Sequence, residues 1–174
     1  MEKGIVVCGL NGCGKSTLGR ALAKELGFSF IDNEDLFFTR TEESAPYSNA
    51  CTRAEAEAKL REAVKGEGSF VFAAVRGDYG KEVEALYQYA VYIEVPAEIR
   101  QQRLHSRSFR KFGDRMLPGG DLYQAEEQFF QKAAMRTDAY VLDWLGSLNC
   151  KVIRVDGTEP VEKNIAYILQ QMDQ

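Results

Sequence analysis

Lys15 and Ser16 close the stretch GLNGCGKST, residues 9–17, in which Gly9, Gly12 and Gly14 precede them. A lysine, a hydroxyl and three glycines at this spacing can hold a phosphate chain. Glycines let consecutive backbone N–H groups turn inward and form a concave nest for anions. Lys15 brings a point charge for the outer phosphates, and the Ser16 hydroxyl suits Mg²⁺. The stretch completes the GxxxxGK[ST] phosphate-loop (Walker A) spacing. Asn11, Cys13 and Thr17 fall within the same turn. The pattern also requires a strand before it and a helix after it. The flanks comply: the apolar run GIVVC leads in, and Leu18, Leu22 and Leu26 follow on one helical face. Residues 9–17, less Leu10, are therefore expected to bind a nucleoside triphosphate such as ATP together with Mg²⁺.

Alternating strands and helices must position this loop. The spacing predicts a strand at 4–8, a helix from Lys15 to about Leu26, and a short strand in FSFID. TRAEAEAKLREAVK reads as a helix with Thr52 as N-cap and Glu55 completing a capping box. SFVFAAV and YAVYIEV are continuous apolar runs of the kind a parallel sheet covered on both faces produces. Pro96, just after the second run, suits the first turn of a helix. Residues 98–136 are predicted helical at both ends around the polar middle KFGDRMLPGGD, CKVIRV is a last strand, and DGTEPVEKNIAYILQQM gives a turn and a final helix. This alternation means an α/β fold with a mostly parallel sheet.

The second strand ends in FIDNED, and an acid at the C-terminal edge of a parallel strand faces the ligand crevice. Asp32 and Glu34, two apart, can share one side. They can bind a substrate hydroxyl, hold Mg²⁺ through water or accept a proton from the attacking oxygen. The same acids also suit the first turn of a following helix. Arg103 and Arg107, four apart, share one helix face. Arg110, Lys111 and Arg115 follow in an otherwise acidic chain, and clustered arginines are what phosphoryl transfer uses to neutralise moving charge.

At these residues the chain resembles the P-loop small-molecule and nucleoside monophosphate kinases, including the adenylate, shikimate and gluconate kinase groups. The likeness covers GLNGCGKST, FIDNED, VYIEVPAEIRQQRLHSR and VIRVDGTEPVEKNI, nearly the whole length. The resemblance implies one domain over 1–174, with three layers, α/β/α, around a five-stranded parallel sheet in the order 2-3-1-4-5. It implies a substrate-binding helical segment at about 33–64 and a mobile lid at about 107–124, for which Gly113, Gly119 and Gly120 could supply flexibility. It matches Arg103 to an arginine near the adenine base and Arg107 to one reaching the phosphates. Gly157 and Thr158 match the loop that meets the adenine through main-chain groups. Arg76 and Arg136 stand where substrate or phosphate contacts are common. On this reading Lys15, Asp32 and Arg107 are catalytic, and Ser16 and Asp32 serve the metal. Asp32, Glu34, Arg76, Arg115 and Arg136 bind the acceptor. The chain departs from the resemblance at FAAVRGDYG and in the lid, so the acceptor stays open between a nucleoside monophosphate and a hydroxy acid or sugar. Arg40, Arg53 and Arg76 are candidate cations for it.

Composition narrows the alternatives. With 22 basic and 26 acidic residues in 174, the net charge of −4 argues against a general nucleic-acid binder. The N-terminus turns polar too soon for a signal peptide, and no apolar run reaches the roughly 18 residues of a membrane span. Four scattered cysteines and one histidine make no metal pattern. The expectation is a cytoplasmic protein with reduced thiols, a monomer or small homo-oligomer, acting on ATP and a small acceptor. His105 and Cys13 are expected to be structural. A nucleotide-binding regulatory ATPase working through a protein partner is the alternative, weakened by the absence of an NKxD base-recognition motif.

Overall fold

The computed structural model describes residues 3–38 and 50–173, apart from the side chain of Glu67. Arg40 and the middle of the expected substrate-binding segment lie outside the described residues. The first strands and helices are β1 (Gly4–Cys8), α1 (Lys15–Leu26), β2 (Ser29–Asp32), α2 (Asn33–Phe37), α3 (Arg53–Glu67), β3 (Phe70–Ala74) and α4 (Lys81–Glu84). Then come β4 (Tyr87–Glu94), α5 (Ala97–Phe112), a 3-10 turn (Gly113–Met116), α6 (Tyr123–Met135), α7 (Asp138–Leu145), β5 (Lys151–Asp156) and α8 (Val161–Met172). All four strand pairings are parallel, and the sheet order is β2-β3-β1-β4-β5.

The continuous apolar strands follow from the sheet being covered on both faces. Ile5 and Val7 of β1 point into one core with Leu18, Leu22 and Ala23 of α1 and Ile168 of α8. Val6 and Cys8, one residue out of phase, enter the other with Leu60 of α3, Val83 of α4, and Val141 and Trp144 of α7. The side-chain period of two makes both sets apolar. The edge strand β5 differs: only Ile153 and Val155 are buried, and Arg154 pairs in solvent with Glu94 at 2.8 Å.

Of three short helices, α2 is the following helix whose first turn Asp32 and Glu34 suited, while α4 and α7 were not assigned from the sequence. α2 and α4 span five and four residues, too few to show a period. α7, DAYVLDWL, follows α6 after two residues and buries Val141, Trp144 and Leu145. Pro96 and Pro160 sit one residue earlier than a first-turn position, as N-caps of α5 and α8.

The expected lid, 107–124, runs from the end of α5 through the 3-10 turn into α6. It has its own small core of Leu104, Met116, Phe130 and Ala133. The buried Ser108 hydroxyl donates to the buried Glu126 carboxylate. Backbone bonds Gly120 N–H to Leu117 O at 2.8 Å and Leu122 N–H to Arg115 O at 2.9 Å close the turn. Arg115 donates through Nε and Nη2 to the two oxygens of Asp121, at 3.0 and 2.8 Å.

Two expectations follow. Thr52→Ala removes the acceptor that takes the Glu55 N–H at 3.2 Å and should cost about 1 kcal/mol, seen as a lower urea midpoint at unchanged slope. The Arg115 guanidinium holds the Asp121 carboxyl below the usual aspartate range. The stability this adds is present above the unfolded value of about 3.9 and lost as the pH falls through the lower folded value. An NMR titration should find the Asp121 midpoint depressed, and Arg115→Gln should return it towards the ordinary value.

Candidate active site

The loop between β1 and α1 is shaped for an anion. At Gly12, φ is +85°, and a Cβ would meet the Arg100 carbonyl oxygen at 2.6 Å, so only glycine fits. The loop is pinned by Gly9 N–H to Val75 O at 3.3 Å and Cys13 N–H to Leu10 O at 3.2 Å. Lys15 Nζ lies across the loop mouth, donating to Leu10 O at 3.3 Å. The helix that follows has Gly14 as N-cap, no side-chain cap and no acid in its first turn. Its first N–H groups thus lack the side-chain partner a capping residue supplies, and the helix end favours negative charge.

The loop opens on a crevice of about 460 Å³ at the C-terminal edge of the sheet, where the strand order reverses and ligands bind in such folds. Asn11 through Thr17, Asp32, Glu34, Arg103, Arg107 and Gly157 line it, so most of the residues expected from the sequence converge. Asp32 is buried. It caps α2, with Oδ1 accepting the Glu34 N–H at 3.0 Å, and still faces the crevice. The helix-cap reading of that acid is thus seen directly, and its position leaves it facing the crevice as well. Across the opening, Arg107 Nη2 approaches Glu34 Oε1 at 4.0 Å, with both side chains more than half exposed. An ion pair this open contributes between nothing and about 1 kcal/mol, so a phosphate can displace it.

A second wall forms where α5 meets the loop after β5. Arg103 donates through Nη2 to Gly157 O at 3.0 Å and through Nη1 to Cys13 O at 3.5 Å, tying that loop to the phosphate loop. Gly157 has no room for a side chain: a Cβ would meet Val95 Cγ2 at 2.4 Å and the Cys13 carbonyl oxygen at 2.9 Å. Thr158 does not line the crevice. Its N–H and hydroxyl donate to Asp156 Oδ1 at 2.8 and 2.6 Å, closing the turn and holding that carboxyl below its usual range. Asn164, missed in the sequence, lines this wall, with Nδ2 donating to Asp156 O at 2.8 Å. Its signal was a buried amide on the inward face of α8, four residues before Ile168.

Other candidates lie apart from this lining. Gly9 supports the loop from beneath. Arg76 donates to Asp78 Oδ2 at 2.8 Å, and Arg136 reaches the loop through Asn11 Oδ1 at 3.0 Å. Arg115 is engaged with Asp121 on the lid and is not part of the crevice. Arg110, by contrast, does line it. His105 is exposed and stacks on Phe130 with ring centroids 3.8 Å apart. Cys13 is buried, and burial drives the neighbouring Cys8 thiol far above its ordinary range. Among the described residues no three His, Cys, Asp or Glu side chains group as a metal site, and no helix is long and apolar enough to cross a membrane. The donors that do face the crevice, the Ser16 hydroxyl and the Asp32 carboxylate, fit Mg²⁺, which takes one or two carboxylates and completes its shell with phosphate oxygens and water.

Comparison with known proteins adds to this geometry. Residues 5–115 match the family described as AAA domain. YqaC, an uncharacterized protein of Bacillus subtilis (strain 168), is 24% identical over 99% of this chain and 98% of its own. Shikimate kinase 2 of Serratia proteamaculans (strain 568) is 28% identical over 84% of this chain and 89% of its own. Among solved structures, shikimate kinase from Acinetobacter baumannii in complex with shikimate superposes with a TM-score of 0.63. It covers 99% of this chain and 93% of that one at 18% identity, a likeness of fold.

The tie between the two loops can be tested without an acceptor. Gly157→Ala places a methyl among Val95, Ile93 and the Cys13 carbonyl. It should weaken ATP binding at least about tenfold, roughly 1.4 kcal/mol, measured by calorimetry. Arg103→Met, which keeps the stem and removes both tethers, should weaken it in the same direction.

Proposed function

Because the chain belongs to the AAA domain family, whose match takes in the phosphate loop, we propose that it is an ATP-dependent phosphotransferase. It moves the γ-phosphate of ATP to a small metabolite, a nucleoside monophosphate or a hydroxy-acid or sugar acceptor. The observation that carries this reading is one crevice with two chemically different ends. One end is an uncapped, acid-free helix start under a glycine loop. The other holds a buried carboxylate, Asp32, fixed by the Glu34 N–H. A nucleotide alone calls for the first end. The second suits a molecule with a hydroxyl. Kinase relatives and kinase-like structures support the same reading.

The residues divide the work as follows. The loop N–H groups and Lys15 hold the β- and γ-phosphates, and Arg103 with the Gly157 loop holds the base side. Ser16 and Asp32 would hold Mg²⁺, which when bound spreads the negative charge of the phosphate oxygens. Asp32 Oδ1 is committed to the backbone, which leaves Oδ2 to orient the acceptor hydroxyl and accept its proton. The acceptor oxygen bonds to the γ-phosphorus as the bond to the bridging oxygen breaks, and ADP leaves. Arg107 exchanges Glu34 for the transferring group, with Arg110 beside it, and the two neutralise charge where it develops. Closing the wall carried by α5 over the crevice would exclude water, so that the acceptor receives the phosphoryl group.

ATP turnover with Mg²⁺ across nucleoside monophosphates, nucleosides, shikimate, gluconate and phosphorylated sugars tests this. One acceptor should raise turnover at least about tenfold, worth about 1.4 kcal/mol of barrier, and Lys15→Ala should abolish the rise. With that acceptor, Asp32→Asn should lower kcat by roughly a hundredfold or more. A flat panel over intact ATP binding would overturn the proposal in favour of a regulatory ATPase.

A further inference from the structure

We infer that Asn164 reads the nucleotide base: its Oδ1 accepts a hydrogen bond from the 6-amino group of adenine, so that the crevice takes an adenine nucleotide over a 6-oxopurine one. The inference rests on the nucleotide half of the phosphotransferase reading and names the group that selects the base. Asn164 lies on α8 and lines the crevice on the same wall as Arg103 and Gly157, beside Pro160 and Val161.

The amide has one workable orientation. Nδ2 donates to the Asp156 carbonyl oxygen at 2.8 Å, and a carbonyl can only accept. Turning the amide over would set two oxygens against each other. The side chain is 7% exposed, on the inward face of α8 one turn before Ile168, so packing holds it there. Oδ1 has no partner among the described residues. Within that set, the side-chain polar atoms both sealed from solvent and without a partner are Arg76 Nε and Arg100 Nη1. Oδ1 is therefore open, and the open space its side chain lines is the crevice.

The main-chain groups beside it are already engaged. Gly157 N–H donates to Glu94 O at 2.9 Å and Glu159 N–H to Asp156 O at 3.2 Å. Thr158 N–H donates to Asp156 Oδ1 at 2.8 Å, and Pro160 has no N–H. Asp156 O thus accepts twice, which fills both its lone pairs. Gly157 O takes Arg103 Nη2 at 3.0 Å, and Pro160 O takes the Asn164 N–H at 3.2 Å. The loop from Gly157 to Pro160 therefore has no main-chain donor left, while Asn164 adds an unanswered acceptor.

Adenine presents a donor at position 6, whereas guanine and hypoxanthine present an acceptor. The first answers Oδ1. The second sets lone pairs against lone pairs, with no N–H of the loop to relieve them. A site built around a hydrogen bond rejects a ligand that leaves it unmade. The Glu159 carboxylate also lines this wall, but Lys163 meets it at 3.0 Å. That pairing engages the acid that the N1–H and 2-amino groups of guanine would need.

Calorimetry on the whole chain with Mg²⁺ tests this with ADP, inosine diphosphate and purine riboside diphosphate, which carry an amino group, an oxygen and a hydrogen at position 6. GDP is a fourth arm. ADP should bind at least about tenfold more tightly than inosine diphosphate, with the purine riboside between them. Asn164→Leu, similar in volume, should bring ADP and inosine diphosphate within about threefold of each other, mainly by weakening ADP. A purely structural role would weaken all four alike and leave their ratios unchanged. Asn164→Ala repeats the comparison in case the leucine lowers the thermal midpoint. ADP and inosine diphosphate within about threefold in the parent, GDP tighter than ADP, or the parent's ratio surviving in both variants would overturn the inference. Base selection that depends on Asn164 with a flat acceptor panel would leave this role standing and remove the phosphotransferase reading. An acceptor that turns over equally well with ATP and inosine triphosphate would do the reverse.

Discussion

The start of α1 needs an anion from outside. Its N-cap is Gly14, which has no side chain to offer, and its first turn contains no acid. Two helices meet the same need with a side-chain cap, the Thr52–Glu55 capping box on α3 and Asp32 on α2, and the others without such a cap carry an acid in the first turn. Among the described α-helices, α1 alone has neither, and its N–H groups follow a loop shaped by Gly12 directly after the central strand. That omission costs stability in the empty protein. It is tolerable because the positive helix end can be answered by a phosphate, and the sheet, the crevice and the arginines around it serve that contact.

The walls of the crevice are held with two different strengths. Arg103 bonds two backbone carbonyls and ties the loop after β5 to the phosphate loop. Gly157 lets those loops touch with no side chain between them. That wall is therefore preformed. Arg107, one turn further along the same helix face, has only an exposed pair with Glu34 at 4.0 Å. One wall is fixed and the contact across from it is exchangeable, which is the division the proposed phosphotransferase reading requires, where one group must be gripped and another must change partners. The lid beyond is a small packed unit with its own core, so any motion would carry it as a piece.

Much of this was legible in the sequence because it is local. The glycine spacing, the apolar run before it and the Leu18–Leu22–Leu26 face fix the loop, its strand and its helix within 26 residues. The capping box located the start of α3 to the residue. The sheet order came through resemblance, and the buried strands agree with it because apolar runs on both faces require cover on both faces. What stayed hidden is what depends on distance along the chain. Asn11 and Arg136 meet across 125 positions, and no periodicity records that. Arg115 looked equal to its basic neighbours in the lid, yet Asp121, six residues on, takes it out of the crevice. α7 was invisible because eight residues joined closely to α6 leave neither a clear period nor a break.

Placement also explains how a chain of net charge −4 can serve anionic ligands. The overall sign is set by acids distributed over the outer helices, whereas Lys15, Arg103, Arg107 and Arg110 all face one crevice. Charges facing a cleft with low-dielectric walls concentrate their field there, while exposed charges farther off are screened within about 10 Å at ordinary salt. Distance and burial, rather than the sum, therefore decide what an approaching phosphate meets. The same logic separates the arginines by partner. Those matched to carboxylates, Arg115 and Arg154, shape the surface. Arg103, held by two backbone carbonyls, and Arg136, held by the Asn11 amide, are fixed in direction by neutral groups that leave their charge uncancelled.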